Sequence, residues 1–288
     1  MTVEIPPEQR SALGHQPRPP NLVNVLVAFA AGLVVALLVT GIGRLFSDSL
    51  ALAFLLGELG LVGGVVLYLA ASGRAVGRAL RLGRVPRTAY PTALKLGFAL
   101  VVANFAATVI LGPPVRDIQF LAEARTAAER ITLAVSVALA APVIEEALFR
   151  GLLQGALETR LRHWVAIAAA GLPFALLHGL QPALFFFFWS LPVGWVTWRS
   201  GSIRPAIVVH AVNNMVGVVG LFATGPIQPE AVERGPGELG VAALLLAASA
   251  LWALRLCVRV GELAGARSSA GLITAGAEGS RCTRNNSE

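Results

Sequence analysis

Eight runs of apolar residues follow one another along this chain, each close to the ~20 residues a helix needs to cross the hydrocarbon core of a bilayer. They are Leu22 to Ile42, Ala51 to Ala71, Leu94 to Leu111, Ile131 to Phe149, Trp164 to Leu180, Ala183 to Trp198, Ala206 to Ala223 and Val241 to Val258. Lipid offers backbone groups no hydrogen bonds, so such runs fold as helices that satisfy their own amides. The expectation is an all-α, polytopic membrane bundle of about eight transmembrane helices. Composition agrees: 56% of the 288 residues are hydrophobic and 14% are charged, against about 45 to 50% and 25% in soluble domains.

The net charge of +7 comes from arginines that fall between the apolar runs. That placement reads as membrane orientation and not as a nucleic-acid surface. The linker after the second run carries Arg74, Arg78, Arg81, Arg84 and Arg87, followed by Lys95. The positive-inside rule makes this linker cytoplasmic. Alternation then puts Arg160 and Arg162, Arg199 and Arg204, and both termini on the same side. Residues 1–21 read as a cytoplasmic tail, 22–260 as the membrane domain, and 261–288 as a disordered tail rich in Gly, Ala, Ser and Arg. Cys257 and Cys282 have no metal-ligand spacing and make no disulfide framework.

Charges inside the fourth run demand a reason. An isolated carboxylate at the bilayer centre costs roughly 2.5 to 3.5 kcal/mol on insertion scales, so Glu145, Glu146 and Arg150 mark a candidate functional site. Residues four apart share a helix face, which pairs Glu146 with Arg150. Glu145, about 100° around the helix, is left to act as a base. Pro142 removes an amide proton here and frees a carbonyl. His178 closes the stretch Phe174-Ala-Leu-Leu-His178, and a tight turn near Leu161 puts it at the same distance from the turn as Glu145. His210 and Asn214, four apart in the seventh run, are candidate donors to an oxyanion. Counting through the loops sets His210 near the cytoplasmic end and His178 near the outer end; either the hairpin around Leu161 protrudes into the cytoplasm, the reading favoured by the polar Gln154, Glu158 and Arg160, or the seventh helix begins earlier. Asn104 and Asn213 read as interhelical hydrogen-bonding residues, Glu58 as structural, and Gly60-x-x-x-Gly64 as a close-packing face.

In this order the motifs Glu-Glu-x-x-x-Arg, Phe-x-x-x-His and His-x-x-x-Asn resemble those of the CAAX-protease and bacteriocin-processing family of intramembrane peptidases. The resemblance covers the stretch from Ile131 to Gly220. It implies an endopeptidase that cuts near the membrane, with Glu145 and His178 activating a water, His210 and Asn214 stabilising the oxyanion, and Glu146 and Arg150 as supporting residues. Implied partners are the bilayer and a membrane-associated peptide or protein substrate, lipidated in some relatives. The arginine-rich, lysine-poor composition suits a multi-pass protein of a bacterial plasma membrane. No cofactor is expected, and zinc is the alternative, since two histidines and a carboxylate form a common catalytic zinc set. Against zinc, the chain lacks a helical His-Glu-x-x-His arrangement, and using Glu145 as a ligand would remove the best base. A non-catalytic scaffold or a transporter is the rival from another class; no repeat-related halves support transport.

Overall fold

The computed structural model describes residues 20–112, 124, 126–180, 182–225 and 235–282, with side chains to residue 264 in the last helix. Most of the expected N-terminal tail lies outside the described residues. Helices account for nearly all of the described chain, and among the described residues there is no strand. In chain order they are α1 (Leu22–Arg44), α2 (Leu50–Ala71), the short α3 (Val76–Ala79), α4 (Ala89–Leu111), α5 (Ala127–Glu158), α6 (His163–Leu177), α7 (Ala183–Ser200), α8 (Arg204–Thr224) and α9 (Pro236–Cys282). Where a disordered tail is expected from 261 onward, the helical backbone of α9 continues to Cys282.

A helix stands at each of the eight apolar runs. Six are long and apolar enough to cross a membrane: α1, α2, α4, α5, α8 and the first part of α9. The other two fall short for visible reasons. α6 has 15 residues, about 22 Å at 1.5 Å per residue, less than the ~30 Å hydrocarbon core. α7 runs unbroken through Pro192 but carries Trp195, Trp198 and Arg199 in its last turns, which lower its apolar character. The chain is thus a multi-pass membrane protein.

α5 is the centre of the bundle. Half of its apolar window is buried, against 17% for α1, and it touches α1, α2, α6, α7 and α8. α1 packs along α2 as a hairpin, α6 along α7, and α4 lies between α8 and α9. The α1–α2 contact is close because of small residues: a Cβ on Gly64 would stand 2.7 Å from Gly32 Cα, and one on Gly60 2.7 Å from Ala36 Cα. The small-xxx-small spacing in α2 therefore brings two backbones together, as the sequence suggests.

One segment ties the start of the bundle to its centre. After α3, Arg81 adopts a left-handed backbone, φ 53°, and its guanidinium pairs with Glu158 at the end of α5. The carbonyls of Arg81, Leu82 and Gly83 accept hydrogen bonds from Ile203 N, Arg204 Nε and Ser202 Oγ at 3.1, 3.1 and 2.6 Å. Gly151 allows the approach, since a Cβ there would lie 2.6 Å from the Leu80 carbonyl oxygen.

Candidate active site

α5 is not a uniform α-helix. Ser136–Ala140 and Glu146–Leu153 are π-helical, separated by one α-helical stretch, Ala141–Glu145. π segments of this kind occur often at functional sites because they re-aim side chains. In the first of them the Ala141 amide donates to Ser136 O, five residues back. The next donor in that register would be residue 142, which is proline and has no N–H. The carbonyl it leaves, Val137 O, accepts instead from Asn214 Nδ2 on α8 at 2.9 Å.

The second π segment carries the charges. Glu146 and Arg150 are fully buried and meet at 3.4 Å through Oε2 and Nε. Arg150 also lies over the Phe174 ring, Cζ 4.0 Å from its centroid, a cation–π contact worth about 2 kcal/mol once desolvated. The other oxygen of Glu146 binds His210 Nδ1 at 2.8 Å. One carboxylate thus joins an arginine on its own helix to a histidine on α8.

Glu145 faces two imidazoles. Its Oε2 is 4.0 Å from His178 Nε2 and 3.8 Å from His210 Nε2. His178 sits at the C-terminal cap of α6, where Gly179, φ 102°, turns the chain away. Its Nδ1–H donates to Phe174 O at 2.9 Å; a carbonyl only accepts, so the proton is on Nδ1 and Nε2 is turned toward Glu145. His210 has the same arrangement, with the Glu146 carboxylate fixing Nδ1. Aromatic rings hold both imidazoles: Phe186 stacks on His178 at 4.1 Å, and Trp189 meets His210 edge-on at 4.8 Å.

Glu145, His178, His210, Phe186 and Trp189 line a cavity of about 460 Å³. Its walls come from α2, α5, α6, α7 and α8, and Asn213 and Asn214 are both among them. Asn213 is tied by a hydrogen bond to Asn104 of α4, an interhelical pair as expected from the sequence. A second, almost wholly apolar cavity of about 590 Å³ lies among α4, α6, α7 and α9, and Trp189 lines both.

All six residues singled out in the sequence therefore meet around α5. Glu145, His178 and His210 share one depth, since one carboxylate oxygen reaches both rings; loop counting had set the two histidines apart. Asn214 borders the cavity, with its amide directed to Val137 O. Sequence reasoning missed two features. The bond from Glu146 to His210 is invisible to a pattern that looks only along one helix. Glu58, set aside as structural, also lines the cavity; the signal was a lone carboxylate in an otherwise uncharged span. As for zinc, among the described residues no three histidine, cysteine or carboxylate side chains close into a set able to hold a metal ion.

Residues 127–216 match a family model described as "Type II CAAX prenyl endopeptidase Rce1-like". That segment contains all six motif residues. No curated protein and no solved structure matches the chain.

Proposed function

Over residues 127–216 this chain belongs to the CAAX endopeptidase family, and from that premise we propose that it is an intramembrane endopeptidase working through a glutamate-activated water. The observation that carries the reading is Glu145 Oε2 facing the Nε2 atoms of His178 and His210 at 4.0 and 3.8 Å on the wall of a cavity. A water held between Glu145 and His178 Nε2 gives its proton to the carboxylate as its oxygen attacks the peptide carbonyl. The carbonyl oxygen becomes an oxyanion on the His210 side. His210 borders that side with its Nε2, its Nδ1 being held by Glu146. Glu145 then returns the proton to the leaving amine, so the products are a carboxylate and an amine.

Glu146 and Arg150 are positioning residues in this scheme. They hold His210 and, through the Phe174 ring, the helix end that bears His178. Asn214 shares the oxyanion role by turning its amide from Val137 O toward the cavity. The metal-free step is favoured by donors that do not close around an ion, and no step is assigned to zinc. The substrate is a membrane-associated peptide or protein; the apolar cavity behind Trp189 suits an apolar or lipid-modified segment of it. We place the enzyme in a bacterial plasma membrane with α6 and α7 completing eight membrane helices and both termini in the cytoplasm, an orientation supported by the arginine-rich linker at 74–87.

The test is cleavage of a membrane-peptide library by purified protein, comparing wild type with Glu145→Ala and His178→Ala, with and without a strong chelator. Activity should fall by at least about a hundredfold in both variants, the scale of losing a general base, and wild-type activity should survive the chelator. Equal activity in all three proteins would sink the reading. Loss with the chelator and recovery with zinc would replace the metal-free step.

A further inference from the structure

Glu58 and Glu145 line the cavity and Glu146 lies behind its wall, and the two carboxylates from α5 have ionisable neighbours within 4 Å. Glu146 has Arg150 and His210, and Glu145 has two imidazoles. The third, Glu58, comes from α2, outside the segment that carries the motifs and the family match. Its Oε2, like those of Glu145 and Glu146, is buried without a hydrogen-bond partner, but among the described residues no ion pair reaches Glu58, whereas each of the others has one. The same wall includes the apolar Phe54, Leu61, Val137, Ala141, Leu148 and Val218. Besides Glu58, the titratable groups lining this cavity are Glu145 from α5, His178 from the end of α6 and His210 from α8, with Glu146 and Arg150 of α5 behind them; α7 contributes none.

An uncompensated carboxylate in such a wall costs several kcal/mol, and that cost falls when a partner supplies positive charge and donors. No side chain donates to Glu58 Oε2, and the buried arginine of α5, Arg150, pairs with Glu146 and stacks on Phe174. Resting on the peptidase reading above, we propose that Glu58 is a specificity-determining residue: its carboxylate binds a lysine or arginine side chain of the substrate close to the scissile bond. The occupant of the cavity then completes the charge pattern that the protein leaves open. Glu145 attacks through its water, and Glu58, from α2, holds the basic side chain.

The probes are matched peptides that differ only in carrying lysine or the uncharged norleucine beside the cleaved bond. Wild type should prefer lysine by about tenfold or more in kcat/KM, the size of one charge-assisted hydrogen bond. In Glu58→Gln, which keeps shape and removes charge, the ratio should fall to about one. Glu58→Lys should invert the preference toward a peptide carrying glutamate. A ratio that is the same in wild type and Glu58→Gln overturns the proposal. Binding of the same peptides to full-length Glu145→Gln protein, read by fluorescence anisotropy, gives the ratio without turnover. If wild type fails to cleave, or Glu145→Ala cleaves equally well, the peptidase reading fails, while the anisotropy ratio still decides the role of Glu58.

Discussion

Arg150 shows how a charge is kept inside this bundle. It is fully buried, paired with Glu146 along the helix and capped by the Phe174 face. Removing one partner of a buried pair costs about 3 to 5 kcal/mol because the other is left uncompensated. Arg150→Ala should therefore lower the unfolding midpoint in detergent sharply, and Arg150→Lys should recover less than half of the loss, since an ammonium lacks the planar face that stacks on Phe174. Equal stability of Arg150→Lys and wild type would show that charge alone suffices. At this scale the residue types were legible in the sequence, and so was the Glu146–Arg150 pair. What was not legible is that His210 bridges the two glutamates, Nδ1 to Glu146 and Nε2 toward Glu145. Spacing along α5 cannot see a ring supplied by α8.

Along α5 the determining event is Pro142. By lacking an amide proton it leaves Val137 O to Asn214, so a defect in one helix becomes a bond to another. Two substitutions test this together. Asn214→Ala should cost about 1 to 3 kcal/mol, the penalty of an orphaned buried carbonyl. In the Pro142→Ala background the restored N–H satisfies Val137 O, and the same change should cost under about 0.5 kcal/mol. Unfolding of the four proteins in detergent measures the coupling; additive losses would mean that Pro142 and Asn214 are unrelated. The sequence pointed to a carbonyl freed at Pro142, but a 3.6-residue period placed Glu145 about 100° away from Glu146. The two π segments widen the turn, and both glutamates reach His210.

Across the molecule, a helix stands where each apolar run was read. α6 is short and ends at His178 with a glycine turn, and Glu145 meets His178 as their equal distance from the turn near Leu161 suggests, whereas simple loop counting sets the two histidines apart. Tertiary ties also had no sequence signal, above all the segment from Leu80 to Gly83. Arg81 there holds a left-handed backbone that costs a non-glycine residue about 1 kcal/mol or more. Arg81→Ala loses the Glu158 pair and keeps the strain; Arg81→Gly loses the pair and relieves it. The glycine variant should be the more stable of the two by about 1 kcal/mol in detergent unfolding, and the reverse order would mean that the backbone at Arg81 is unstrained. Three of the four ties made by this segment use main-chain oxygens, which every amino acid carries. Positions 82 and 83 are therefore open to drift over generations, while the burden of inheritance falls on the partners' side chains, on the donors Ser202 and Arg204 and the acceptor Glu158.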